Sequence, residues 1–400
     1  MPHSTQVDWP KQGRNLLFAT SPEELERGVQ CRLVATTDPP APRSRKPKIG
    51  QVPDKWVLSS AVQKFIRRGR PEAAVDAALA LHELDPAYLP RRLPTIALED
   101  VGIGGVEIAF DVLYFFGGGS FPASMGQDDQ VKVIQNLVHR LAASEKSRAA
   151  CDLLCLGLSA DPEYEIQRLF ASANPDALVE IATDRATEPV NRILALHVLS
   201  GVTVVERGRY RSISRFNRKA LLQISERIGC PHLVSWMMRR GRLTSGLTAI
   251  LPLLLESIQR EGEGMTVKEL MPSKIHSMSM TNLRGVPAMA LDQHCRAGKA
   301  AIAEFIREAK DVGRFVAEYA PKASATPLVG MALFHIEGSK LDRWVTTAEW
   351  ETLREDVETA ELMALGLKEN GAREGLYELL RGHAPGLLHQ RQRAMEGLVK

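Results

Sequence analysis

Residues 56–105 read WVLSSAVQKFIRRGRPEAAVDAALALHELDPAYLPRRLPTIALEDVGIGG. Ala61, Phe65 and Ile66 fall on one face at helical spacing. Gly69 stands where a helix would stop, and Pro71 where the next would start. Ala74, Ala77, Ala78 and Leu81 form a second apolar stripe. Asp85-Pro86 reads as a cap followed by a first-turn proline. Pro90 and Pro94 each remove a backbone donor and crowd the preceding turn. The next helix therefore either starts at Pro90 instead of Pro86 or is kinked. The stretch is read as helical hairpins, and the expected fold class is all-α.

Several pieces of this stretch are similar to a known family. They are Ser60-Ala61-Val62-Gln63-Lys64, Arg67-Arg68-Gly69, Glu72-Ala73-Ala74, Asp85-Pro86-Ala87-Tyr88, Arg91-Arg92-Leu93 and Ala97-Leu98-Glu99-Asp100-Val101-Gly102. A further piece runs from Leu141 to Ala150 and contains Glu145-Lys146-Ser147-Arg148, where the family usually carries Pro-Lys-Ser. Together they resemble the C-terminal, clamp-loader-like collar domain of the RarA/MgsA AAA+ ATPases. The resemblance spans about residues 56–160. It implies subunit assembly and association with replication or repair machinery at stalled forks.

The motor of that family has no counterpart in the sequence. No G-x-x-x-x-G-K-[ST] phosphate loop occurs. No lysine follows Gly117-Gly118-Gly119 before Ser120, and Gly298-Lys299 is followed by Ala300. A non-enzymatic role without a cofactor is the expectation.

Working outward, residues 1–53 read as a disordered tail, with a proline-rich basic run from Asp38 to Lys48. Residues 54–160 form the collar-like domain. Val106 to Phe116 is apolar and long enough for a buried helix, Gln130 to Leu141 is amphipathic, and Ala149 to Leu158 is helical. Residues 161–260 read as a second helical domain, including an apolar run from Leu247 to Ile258. Residues 261–400 read as a third, opened by a linker over 261–285. It carries an acidic block at Glu349, Glu351, Glu355, Asp356, Glu358 and Glu361. Only Leu33–Thr36 and Val202–Val205 look strand-like.

At 400 residues, 44% hydrophobic and 25% charged, the chain has an ordinary globular composition. It has no run of eighteen apolar residues and no apolar signal core at its start. Five scattered cysteines argue for a reducing compartment, so a cytoplasmic, membrane-free protein is expected.

The net charge of +3 hides an uneven distribution. Glu206 to Arg242 holds Arg207, Arg209, Arg211, Arg215, Arg218, Lys219, Arg227, Arg239, Arg240 and Arg242, against Glu206 and Glu226 alone. Tyr210, Phe216 and Trp236 are interleaved. Arginines bind phosphates and aromatics stack on unpaired bases, so DNA contact is one reading. A basic face that pairs with the acidic block is the other. Asp292, His294, Arg296 and Lys299 crowd a helix start, a candidate anion or ligand site; the plainer reading is a polar helix start docked on a neighbouring domain. The segment around them also resembles uncharacterised phage- and plasmid-borne proteins. Cys151 and Cys155 lie one turn apart and read as small core residues, with no metal site expected. Glu99-Asp100 is read as structural, with Asp100 capping or pairing with Arg91 or Arg92.

The leading expectation is a DNA replication or repair accessory protein. It would form a homo-oligomer, or a complex with a separate protein, through the collar-like domain. It would contact DNA through the arginine-rich face. The alternative is a protein-interaction module, such as a phage or plasmid factor engaging or inhibiting a host complex, with no DNA binding. A helical active site around Asp292 and His294 is a third possibility.

Overall fold

The computed structural model describes residues 52–117, 119–121, 125–159, 173–201, 203–206, 209–212, 216–229, 265–368 and 370–399, with Thr5–Gln6 and a few single positions besides. The protein is mostly helical, as the hairpin reading expects. The calls on Leu33–Thr36, on most of Leu247 to Ile258 and on most of the tail 1–53 lie outside the described residues; where the tail is described, Thr5–Gln6 pairs as a strand and Val52 is buried in the core, so it is not wholly disordered.

Helix α1 (Lys55–Arg67) starts where the Asp54 side chain accepts the Trp56 and Val57 amides at 2.8 and 3.2 Å. It ends before Gly69, whose φ of 55° suits a residue without Cβ. Pro71 then opens α2 (Pro71–Leu84). From Val57 to Arg67 every residue of α1 is buried, so this helix is a central strut. Val57, Ala61, Val62 and Ile66 enter an apolar core with Ala74, Ala77 and Leu81 of α2. Ser60, Gln63, Lys64 and Arg67 form a polar stripe at helical spacing, and it is buried too.

The proline question resolves in favour of a late start. Helix α3 (Leu89–Ile96) carries Pro90 in its first turn and Pro94 inside. It runs on into a π-helical turn at Ala97–Val101. Asp85 caps nothing at that start; its carboxylate takes the Lys55 ammonium at 2.8 Å. The expected helices follow as α4 (Val106–Phe116), α5 (Gln127–Ala143) and α6 (Ala149–Ser159). Next come α7 (Pro175–Thr183), α8 (Pro189–Ser200), the hairpin β2 (Thr203–Glu206) and β3 (Arg209–Ser212), and α9 (Arg218–Arg227).

Residues 261–285 are not the linker their composition indicates. Strand β4 (Thr266–Glu269) and helix α10 (Lys274–Ser279) lie within them. In β4 the Val267 side chain enters the core beside Val345 of the antiparallel strand Arg343–Thr346. β1 (Thr5–Gln6) covers the other edge of β4. On the far side the Val345 amide donates to the Lys146 carbonyl at 2.8 Å.

The remaining helices are α11 (Arg296–Glu308), α12 (Lys310–Tyr319), α13 (Ala325–Leu333), α14 (Ala348–Ala364), α15 (Asn370–Gly382) and α16 (Ala384–Val399). A second π-helical turn, Phe334–Gly338, extends α13. Leu283 to Ala297 and Met395 share one apolar core with residues 52–142. A second core joins α4, α6, α8 and α9 to the small sheet and α14, and a third sits among α11–α16.

Candidate functional site

The polar stripe of α1 meets both π-helical turns. Asp100, in the first turn, is 0% exposed. It accepts from Arg67 Nε at 2.6 Å, Arg148 Nη1 at 2.7 Å and Gln63 Nε2 at 2.7 Å. Burial alone would raise this carboxyl; the Arg67 and Arg148 guanidiniums overcome it and hold the group below the usual carboxylate range. Arg67 Nη1 also donates to the Gly338 carbonyl of the second turn at 2.6 Å. Arg67 and Arg148 both lie over the Phe334 ring, 5.3 and 5.5 Å from its centre. Neighbouring Arg68 donates to the Glu337 carbonyl at 2.8 Å and to Asp342 at 3.2 Å. The Glu337 carboxylate is in turn held by the buried Arg391 of α16.

One turn back on α1, Lys64 forms a buried ion pair with Asp292, and Ser60 Oγ donates to the same carboxylate at 2.9 Å. Burial lowers the Lys64 ammonium, with Asp292 opposing. Burial would raise Asp292, yet Lys64 holds it down at about 2. The pairing locks residues 232 and 228 positions apart in sequence, so it fastens α1 to the segment that precedes Arg296.

Asp292, expected at an anion site, thus turns inward. The His294 amide donates to Asp292 Oδ1 at 2.8 Å, and the His294 ring meets the edge of Phe334. Arg296 and Lys299 are exposed in the first turn of α11. Cys295 Sγ accepts the Gly298 amide there at 3.2 Å. The structure separates Asp292 from Arg296 and Lys299 and brings it to Lys64. Gly298 makes this docking sterically possible: a Cβ at that position would lie 2.0 Å from the Asp292 carbonyl oxygen. Gly298→Ala is therefore expected to cost about 3 kcal/mol or more. Urea unfolding checks it against Gly313→Ala, where the nearest atom to a new Cβ is 3.7 Å away and little loss is expected.

Of the arginine-rich segment, Arg209 and Arg211 occupy alternate positions of β3, in register with Glu206 and Val204. Arg218 and Lys219 are exposed at the start of α9, which Asn217 caps through the Ala220 amide at 3.1 Å. Arg227 pairs with Glu180 at 2.7 Å. Arg207, Arg215, Arg239, Arg240, Arg242 and Trp236 lie outside the described residues. Three residues of the acidic block are engaged elsewhere: Glu351 with Lys268 and Trp344, Glu358 with Lys340 and Arg354, and Glu361 with His335.

The expected partners of Asp100 need correcting. Arg67 and Arg148 take it, while Arg92 reaches Glu99 at 3.6 Å and Gln63 at 2.8 Å. The roles of Lys64, Arg67, Arg148, Phe334 and Glu337 escape a reading by periodicity. One signal does mark the first three and Asp100: all lie in the pieces that carry the family resemblance. Among the described residues, no three or more His, Cys, Asp or Glu side chains are grouped to hold a metal, and no helix is long and apolar enough to cross a membrane. Comparison with known protein families, curated proteins and solved structures returns no match.

Proposed function

We propose that this protein is a non-enzymatic scaffold of DNA replication or repair that binds DNA through residues 206–242 and assembles through its collar-like first domain. The observation that carries the DNA half is the ten-to-two excess of basic over acidic residues in that segment. Counterion release makes such a cluster a phosphate-binding surface without a base code. The β2–β3 ribbon adds a shape that the major groove admits. Glu351, Glu358 and Glu361 of the acidic block have other partners, which weighs against these three as the mate of the basic segment. The assembly half rests on the resemblance. Its support is that Gln63, Arg67, Asp100 and Arg148, scattered across the matched pieces, converge in one buried cluster, with a buried Lys64–Asp292 pair one turn away on α1.

The charge-reversed chain Arg207→Glu, Arg209→Glu, Arg211→Glu, Arg215→Glu tests the DNA half. Its affinity for duplex DNA is expected to fall at least about tenfold at low salt, with an unchanged circular dichroism spectrum. Full retention of binding would refute the assignment. A second reading, a protein-interaction module, is favoured by one exposed aromatic: Trp56 is 51% exposed and packs edge-on to Tyr88.

A further inference from the structure

Three elements line a small cavity that shares Arg148 and Phe334 with the α1 network. Helix α6 and the residue before it supply Asp152, Cys155 and Arg148; the second π-helical turn supplies Phe334 and His335; α14 supplies Arg354, Glu358 and Glu361. The cavity has about 20 Å³ of room for a water-sized sphere. That is enough for one water, which needs roughly 10–15 Å³ and two to four polar partners.

Two buried atoms facing this region lack a hydrogen bond. His335 is 3% exposed, and its Nε2 has no partner in hydrogen-bond geometry, although Glu361 Oε2 stands 3.3 Å away. Arg354 Nη2 is also without a partner; its Nε lies 3.5 Å from Glu358. A buried polar atom left unsatisfied is costly. One proton between His335 and Glu361 satisfies the first atom. A water that accepts from Arg354 satisfies the second.

We propose that this cavity is a buried proton-and-water site, in which His335 Nε2 and Glu361 share one proton and an ordered water bridges Arg354 to the carboxylates of α14. The proton sits on Glu361 and is donated to a neutral imidazole. In a buried site two neutral partners cost less than an imidazolium and a carboxylate. Burial acts in that direction on both: it pushes the Glu361 carboxyl up to about 7 and the His335 imidazole down to about 4. Two neighbours oppose burial at Glu361, the Arg148 guanidinium and a hydrogen bond with Cys155, while Asp152 and Glu358 add to it; the net direction stays upward. From α6, burial raises Asp152, and the Cys155 thiol is raised by its hydrogen bond with Cys151 and by burial. Arg148 is tied to Asp100. Beyond the π-helical turn, Lys340 binds Glu358 at 3.3 Å, and from α15 the Tyr377 hydroxyl donates to Glu358 at 3.4 Å. The site therefore clasps α14 to α6 and the π-helical turn, and it loosens when its proton leaves.

The signs of the two titrations are opposite. Glu361, raised above its ordinary value of 4.5, favours folding less as pH rises from 4.5 to 7. His335, lowered from 6.5, favours folding more as pH rises from 4 to 6.5. In the parent chain the two slopes cancel between 4.5 and 6.5. Each single variant exposes one of them.

The test is urea unfolding of the full chain from pH 4.5 to 8 for the parent, Glu361→Gln and His335→Gln. The ratio of the Glu361→Gln folding constant to that of the parent should rise about tenfold per pH unit up to 7, and the His335→Gln ratio should fall by a similar factor up to 6.5. Other titrating groups, Asp152 included, cancel in the ratios. Ratios that stay flat for both variants would overturn the shared proton. If His335→Gln does not fold, a flat Glu361→Gln ratio alone overturns it. A high-resolution crystal structure decides the water: density within hydrogen-bond distance of Arg354 Nη2 supports it, and a dry cavity removes it.

Discussion

Asp100→Ala is expected to cost about 3–5 kcal/mol, because it strands two buried guanidiniums. Arg67 and Arg148 are both buried, and each gives Asp100 a charge-assisted hydrogen bond. Arg67 keeps only the Gly338 carbonyl as an acceptor, and Arg148 keeps Cys151 Sγ and a longer ion pair with Asp152 at 3.9 Å, beyond hydrogen-bond distance. Desolvation already paid in the folded state then stands uncompensated. A domain is typically stable by only about 5–15 kcal/mol, so the loss is a large share of the total. Urea unfolding followed by the helical circular dichroism signal measures it. The exposed Glu355→Ala on α14 is the control and should stay within about 0.5 kcal/mol of the parent. A loss below about 1 kcal/mol for Asp100→Ala would mean that this network does not hold the two turns to α1.

The second large effect is non-additive. Lys64→Met leaves Asp292 as a buried, unpaired carboxylate, and Asp292→Leu leaves the Lys64 ammonium in the same position. Each single change is expected to cost about 3–5 kcal/mol. The double variant removes both charges and replaces them with apolar side chains. Such exchanges of buried pairs are often neutral or stabilising, so the double variant should recover most of the loss. Ser60 loses its acceptor in that background, but its hydroxyl can turn to a carbonyl of the preceding turn. The coupling energy from the four-chain cycle should exceed about 2 kcal/mol. Additive losses would mean that the two residues act separately, and that the attachment of the 288–297 segment to α1 is apolar alone.

The hairpin of α1 and α2 was legible because its signals are local. Gly69, Pro71 and the stripe Ala74, Ala77, Ala78 and Leu81 lie within one short window. Val106 to Phe116 was legible by length, which separates a buried helix from a strand. The polar stripe Ser60, Gln63, Lys64 and Arg67 looks like a solvated face, because its partners at Asp100, Asp292 and Gly338 lie 37, 232 and 271 positions from the residues they meet. Strand β4 was hidden for the same reason. It has four residues and one buried valine facing inward from them, and its partner strand starts only at Arg343. At the helix start near Asp292, residue type indicated an anion site. Only the fold reveals that the carboxylate meets a lysine from the other end of the chain. The hairpin at Thr203–Glu206 was marked by its β-branched run, whereas the charged second strand carried no such mark.

The most direct test of the DNA-scaffold account is a titration of the purified protein against fluorescent single-stranded, duplex and forked DNA at 50 and 200 mM salt (about a fourfold step), with light scattering on the same sample. The account predicts binding that weakens at least about tenfold over that step, by particles larger than the 44.1 kDa monomer. No binding at the lower salt, from a clean monomer, would contradict it.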